Sequence, residues 1–313
     1  MIGNKEDPRK VFGAAVTECA LADERIVLLS ADSGKSSGFG DFIRLAPQRY
    51  FEFGIMEQAV EGVASGLATT GKIPVFCAIA PFVTARPFEM FRNDIGYMRQ
   101  NVKIVGRNGG ITYSDLGSTH HSLDDFAIIR MIPGVRILCP QDPNEIRGAV
   151  KAMLAERGPI YMRIGNEPIE NLFEEASFSI GKGRRIREGR DVTLVSTGSL
   201  TANAIAAAEQ LQAAGITVEH IGLPTVYPLD TDLLLQSVRK TGRVVTVEEH
   251  YVYGGIGTQI ADLLASSFPA PVRKLGIPHA YASSGSYAEI LRKYGLDAEG
   301  IAQSIAEFVN EGR

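Results

Sequence analysis

The chain has 313 residues, 45% of them hydrophobic and 22% charged, with a formal net charge of -4. These are ordinary globular values for a chain long enough to hold two domains, and the slight negative balance gives no electrostatic case for nucleic acid or an anionic membrane. No apolar run is long enough to span a bilayer, the polar start MIGNKEDPRK has no signal-peptide core, and Cys19, Cys77 and Cys139 show no metal-ligand spacing, so buried free thiols in a cytoplasmic protein are expected.

In chain order, residues 8–22 predict a helix, with Pro8 early and Val11, Phe12, Ala15, Val16 and Ala20 on one stripe. Residues 26–29 form a continuous apolar run, as expected of a strand buried on both faces. The run ends in the polar turn Ser30-Ala31-Asp32-Ser33-Gly34. Ligands of open α/β sheets gather at this carboxyl edge, and Asp32 is a candidate cofactor contact there. Gly34-Lys35-Ser36 lacks the upstream glycine of a phosphate loop. Tyr50, Phe51 and Phe53 suit a short buried strand. From Met56 onward Ala59, Val60, Val63, Ala64 and Leu67 recur at helical spacing, and Gly71 supplies a stop. Glu57 stands at this strand-to-helix junction, where the helix macrodipole alone would favour an acid.

Strand and helix keep alternating. Strands are expected at 73–79, 102–105, 135–138 and 160–164, with helices through Phe88, Met90, Phe91, Ile95 and Met98, then over 123–131 and 143–156. The connection over 107–121 is long, Gly-rich and polar, and such connections are often functional. Residues 166–190 are charged and aperiodic, with a short hairpin expected near 178–186. A second unit places strands at 192–196, 217–223, 244–248 and 272–275, and a helix at 202–214. The turn Gly254-Gly255-Ile256-Gly257 suggests a phosphate loop only superficially. The fold class is therefore α/β, with two doubly wound, mostly parallel-sheet domains in tandem. The first is expected over 1–170, a linker over 171–190, and the second over 191–313.

Gly54-Ile55-Met56-Glu57-Gln58-Ala59 resembles the G-x-x-E-x signature of the pyrimidine-binding domain of transketolase-like, thiamine-diphosphate-dependent enzymes. Pro81-Phe82 with residues 86–93 resembles that family's aromatic segment, and Gly117-Ser118-Thr119-His120 resembles its G-x-T-H loop. Ile132-Pro133-Gly134 and Pro140-Gln141-Asp142 resemble its IP-x and P-x-D elements, in the family's order and at about its spacing. In the second half, TGS, LP-T…PLD, VEEH and GG-IG resemble the transketolase C-terminal domain, which the family uses mainly for packing and subunit contact.

The resemblance implies roles residue by residue. Glu57 would hydrogen-bond N1′ of the cofactor's aminopyrimidine, favouring the imino form whose N4′ takes the thiazolium C2 proton. Burial among Phe53, Ala59 and Val60 would raise its pKa in the direction that role needs. Phe82, with Phe88 as a second candidate, would stack on the pyrimidine; both also read as core phenylalanines. His120 would face substrate hydroxyls with His121 beside it, although a histidine is often structural. Arg163 and Arg9 would bind a sugar phosphate, and each also reads as a surface ion pair. Asn108 falls where the family has an upstream substrate-loop histidine.

Two departures shape the reading. The family's G-D-G…N diphosphate and metal site is absent, since Gly40-Asp41-Phe42 has no matching Asn and lies in the wrong domain. The chain thus resembles the C-terminal, or beta, half of a split transketolase and is expected to hold no metal itself. The resemblance then implies a separate alpha subunit carrying G-D-G…N. That subunit would hold the diphosphate of a shared thiamine diphosphate and its Mg²⁺ or Ca²⁺, in a two-plus-two heterotetramer. Secondly, Leu116 stands where standard transketolases carry the Asp of D-G-x-T-H, and losing that acceptor would shift specificity. The implied activity is ketol transfer between sugar phosphates. Alternatives are a 1-deoxyxylulose-phosphate-synthase-like or 2-oxoacid dehydrogenase β-like subunit, and a scaffold that kept the fold. The Gly-Ser-Thr-His loop and the Arg9/Arg163 pair favour sugar phosphates, and Glu57 argues against the scaffold.

Overall fold

The computed structural model describes residues 3–174 and 178–311. The continuous apolar runs become inner strands of a seven-stranded sheet, because a strand covered by helices on both faces must be apolar on both. Its order is Tyr50–Glu52, Ile26–Ser30, Ile73–Ile79, Lys103–Arg107, Ile160–Arg163, Arg136–Leu138 and Thr225–Tyr227. All neighbours are parallel except the last pair, which is antiparallel. That last strand comes from the second half of the chain, so the two halves share a sheet. The short strand at Tyr50–Glu52 differs from the expectation of burial. It has one neighbour only and lies at the sheet edge, where Phe51 is exposed.

Asp7 caps the Pro8–Ala22 helix by accepting the Arg9 N–H, with Pro8 in the first turn, where its missing donor costs nothing. On that face of the sheet Phe12, Val16, Leu28, Val105 and Met162 form one core cluster. On the other face Val60 and Ala64 of the Glu57–Thr69 helix pack with Phe76, Phe91, Ile95 and Ile104. The apolar stripe of this helix is narrower than its sequence suggests, since Ala59 and Val63 face outward. The helix expected through Phe88 and Met98 divides into Phe88–Met90 and a π-helical run over Phe91–Tyr97. Wide turns of this kind occur frequently at functional sites.

The second sheet runs Val272–Ile277, Val244–Tyr251, Val192–Ser196, Val218–Gly222 and Arg184–Arg187. It is parallel except for Arg184–Arg187, which pairs antiparallel with Val218–Gly222. The hairpin expected near 178–186 is therefore replaced by a strand of the second sheet, drawn from the segment read as linker. Residues 175–177 of that segment lie outside the described residues. Glu248 accepts the N–H groups of Ile256 and Gly257 at 2.8 and 2.9 Å. The chain's own carboxylate thus fills the helix N-terminus that a phosphate would need. Glu249, next along a strand that continues to Tyr251, takes the Ile111 N–H at 3.0 Å and the hydroxyls of Ser199 and Tyr287 at 2.9 and 2.5 Å. This ties the 107–121 connection to the second unit. Among the described residues, no helix is long and apolar enough to cross a membrane.

Candidate functional site

Parallel strands bring their carboxyl ends to one edge of the sheet. Here that edge gathers the turn after Ser30, the start of the Glu57–Thr69 helix, the Ala80–Phe82 turn and the 107–121 connection. Glu52 orders the approach to the helix. One of its oxygens accepts the N–H groups of Asp32, Phe53 and Gly54 at 2.6, 3.0 and 3.1 Å, and the other takes the Tyr50 hydroxyl at 2.7 Å. Asp32 itself is exposed, with φ of 53°. Gly54 adopts φ of 68°, a turn that a side chain would strain, and delivers the chain to Glu57.

Glu57 is only 4% exposed. Arg86 donates to its Oε1 at 2.6 Å, and the same guanidinium lies 3.8 Å from the centroid of the Phe82 ring. The Gln58 amide holds the Arg86 carbonyl at 3.3 Å. This corrects the apolar shell expected from Phe53, Ala59 and Val60. Ala59 faces outward and the nearest group to the carboxylate is a cation.

Arg86 also reports what the site can accept. A flat, delocalised cation stacks on Phe82 and donates N–H to Glu57 at the same time. An aminopyrimidine ring needs the same two contacts, so Glu57 and Phe82 fit that half of thiamine diphosphate. Among the described residues no group of three His, Cys, Asp or Glu could hold an ion, and Asp41 lies in the Gly40–Leu45 helix paired with Arg44 at 3.2 Å.

Beyond Phe82 the site continues as a row of rings. His120 meets Phe82 edge-on at 5.2 Å and Tyr113 at 5.5 Å, and its Nδ1 lies 2.9 Å from the Thr119 hydroxyl. Sequence reasoning did not single out Tyr113; its place in the long Gly-rich connection was the available signal. His121 turns away from the row toward a small cavity of about 80 Å³ shared with Asp124 and Tyr251. Burial lowers its pKa, so it stays neutral at pH 7. Phe88 packs against the core cluster rather than joining the row.

The arginines divide differently from expectation. Arg163 is buried, donates to the fully buried Asp125 at 3.0 Å, and lies 3.9 Å over the Phe126 ring. Tyr161 donates to the other oxygen of Asp125 at 2.7 Å. The charge of Arg163 is thus matched inside the core, and a phosphate would meet it only in competition with Asp125. Arg9 is held by Asp7 through two bonds of 3.1 and 2.9 Å and remains partly open. Asn108 is buried with φ of 56°, and its Oδ1 accepts from Arg107 at 2.9 Å. A cavity of about 750 Å³ is lined by Arg92, Tyr97, Arg99 and Arg157. It lies at the opposite, amino edge of the sheet, beside Arg136 and Pro159 where two strands begin, and is separate from this row.

Residues 5–168 match the transketolase pyrimidine-binding domain, and residues 181–301 match the transketolase C-terminal domain. An apulose-4-phosphate transketolase subunit of Phocaeicola vulgatus is 36% identical over 313 residues, covering 99% of this chain and 100% of that protein. A 1-deoxy-D-xylulose-5-phosphate synthase of Heliobacterium modesticaldum is 35% identical over 97% of this chain, which spans 47% of that enzyme. Among solved structures, a split gene transketolase described as an inactive beta4 tetramer aligns with a TM-score of 0.91 at 36% identity, covering 98% of this chain and 99% of the other.

Proposed function

The chain belongs to the transketolase family, and on that premise we propose that it is the beta subunit of a split enzyme moving a two-carbon ketol unit between sugar phosphates. One observation carries the reading: Glu57 and Phe82 together grip a planar, N–H-donating cation. When bound, thiamine diphosphate supplies the nucleophilic carbon and the electron sink. The chain's residues do the rest. Glu57 holds a proton against the ring nitrogen, and Phe82 sets the plane of the ring. Arg86 leaves both of them when the cofactor enters. His120, fixed through Nδ1 by Thr119 and flanked by Phe82 and Tyr113, presents its other nitrogen to a substrate hydroxyl.

In this reading an alpha subunit carries the G-D-G…N element, holds the diphosphate and the Mg²⁺ or Ca²⁺, and completes a two-plus-two heterotetramer. The relative named as one subunit of a transketolase and the solved split gene transketolase support a divided enzyme. The free thiols of Cys77 and Cys139 suit the cytoplasm. Leu116 supports a modified ketose phosphate as substrate, because it offers no acceptor to a hydroxyl.

The test is Glu57→Gln in the complex reconstituted with its alpha subunit. Ketol transfer should fall by at least about 100-fold with the assembly's mass unchanged. Undiminished turnover would overturn the proposal and leave a scaffold. A second reading, condensation of the 1-deoxyxylulose-phosphate-synthase type, is favoured by the 35% identity to such an enzyme. Pyruvate accepted as donor in preference to ketose phosphates would decide for it.

A further inference from the structure

Three neighbouring strands of the first sheet begin at its amino edge with a cation on them or just ahead of them. Lys103 and Arg136 stand in register with Ile160, one on either side, and Arg157 lies three residues before Ile160. Two more arginines come from the layer packed on the sheet. Arg92 lies on the π-helical run Phe91–Tyr97, and Arg99 follows its end with φ of 51°. Arg92, Arg99, Arg136 and Arg157 all line the cavity of about 750 Å³ at this edge. A volume of that size is in the range that holds a small-molecule ligand.

The charge here is one-sided. No Asp or Glu among the described residues lines the cavity. Glu156 reaches Arg136 at 3.1 Å, and the other three arginines have no acid partner among the described residues. Asp94, the acid of the π-helical run, faces the other way: its carboxylate lies 3.8 Å from where a Cβ on Gly62 of the Glu57–Thr69 helix would stand. Behind Gly158, which lines the cavity, Lys103 is fully buried and donates to the Glu156 and Gly158 carbonyls, each at 2.7 Å. Burial, with Arg136 adding to it, pulls the Lys103 pKa down to about 7. The cations repel one another in a chain whose net charge is -4, so the cluster runs against the overall balance.

Two contacts hold the walls together. Gly96 lets the π-helical run seat on the turn before Arg136, since a Cβ there would come within 2.3 Å of Ile132 Cγ2. The Asn101 side chain accepts the Gly158 N–H at 3.1 Å and ties the turn that carries Arg157 to the segment that follows the helix. None of the lining residues belongs to the row that runs from Glu57 through Phe82 to His120.

We propose that this cavity binds a small molecule bearing two or more linked phosphate groups, at a site separate from the carboxyl-edge row. Each guanidinium offers paired N–H donors that match two phosphate oxygens. A single phosphate monoester carries about two negative charges, fewer than the three arginines that lack an acid partner, so linked phosphates match the cluster better than one. The inference does not rest on ketol transfer: the same cluster would bind the same class of anion in a chain with another activity.

Isothermal titration of inorganic tripolyphosphate into the full chain tests this. It should bind, and orthophosphate should bind at least about tenfold more weakly. The double variant Arg92→Gln/Arg157→Gln changes two exposed positions and should keep its circular dichroism while losing at least about tenfold in tripolyphosphate affinity. Arg9→Gln, at the partly open arginine outside the cavity, should leave that affinity as it is. The site should persist when the alpha subunit is added. Equal affinity for the two anions, or equal affinity in the parent and the double variant, overturns the inference. So does a loss in Arg9→Gln as large as in the double variant, which would place the anion elsewhere. Disappearance of the site on addition of the alpha subunit overturns it too, because this face would then be a subunit contact.

Discussion

Glu61 stands one turn beyond Glu57 on the same helix, fully buried, with neither carboxyl oxygen hydrogen-bonded among the described residues. Burial, with Asp94 nearby, holds its pKa well above the ordinary 4.5. In the folded chain the group therefore keeps its proton, while in the unfolded chain it ionises as pH rises through 4.5. The unfolded state binds fewer protons in that window, so this residue costs stability progressively as pH rises, until the folded pKa is reached. The slope is about 1.4 kcal/mol per pH unit for one proton. Glu61→Gln keeps the shape and removes the ionisation. Urea unfolding at fixed protein concentration should show the variant gaining on the parent by about 1.4 kcal/mol for each pH unit above 4.5 until the folded group ionises, with near equality at the acid end. A gap that stays flat with pH, or a variant that loses ground, would refute the reasoning, because it would mean that the buried carboxyl finds a partner or ionises in place.

Two further outcomes follow from the same geometry. Arg86→Met removes the group that occupies Glu57 and Phe82; a half-buried ion pair and a cation–π contact are together worth about 1–2 kcal/mol, so thiamine diphosphate should bind the reconstituted complex about 5- to 30-fold more tightly. Weaker binding in a fluorescence titration would show that Arg86 assists the cofactor instead. Asp125→Asn leaves Arg163 buried without its counter-ion and should cost about 3–5 kcal/mol by urea unfolding, whereas replacing both residues by apolar ones of similar volume should recover most of it. Equal losses in the single and double variants would contradict that account.

The strands were legible because buried parallel strands announce themselves as unbroken apolar runs, as in Ile26–Ser30 and Ile73–Ile79. The place of Glu57 at a strand-to-helix junction was legible from the pattern, and its candidate role only from the resemblance of residues 54–59 to the family signature. What failed was pairing across distance. Asp125 lies 38 residues before Arg163, and no periodicity reveals that the two meet, so a core ion pair read as a surface arginine. Arg86 lies 29 residues after Glu57 and was hidden in the same way. Tyr50 and Phe51 carried the composition of a buried strand, but sheet position, which composition does not encode, put them at an edge. The glycine turn at 254–257, read as only superficially like a phosphate loop, has an anion of its own: Glu248, eight residues away, accepts the N–H that a ligand would have taken.

On the proposed reading, the edge of the sheet is half a site and has to persist without the other half. Glu57 and Phe82 do so by sharing Arg86. Ile55 and Met56, immediately before the acid, are 72% and 57% exposed, apolar surface of the kind a second subunit covers. Cofactor and partner then act on one short segment. Entry of the ring displaces Arg86 into solvent or onto the partner, and docking of the partner covers Ile55 and Met56 and restricts the turn that carries Glu57. Each event favours the arrangement the other needs, so by linkage the alpha subunit tightens cofactor binding by the same factor that the cofactor tightens assembly. On that reading the Glu57–Arg86 pair competes with the ring, and docking of the second chain shifts the balance toward the cofactor.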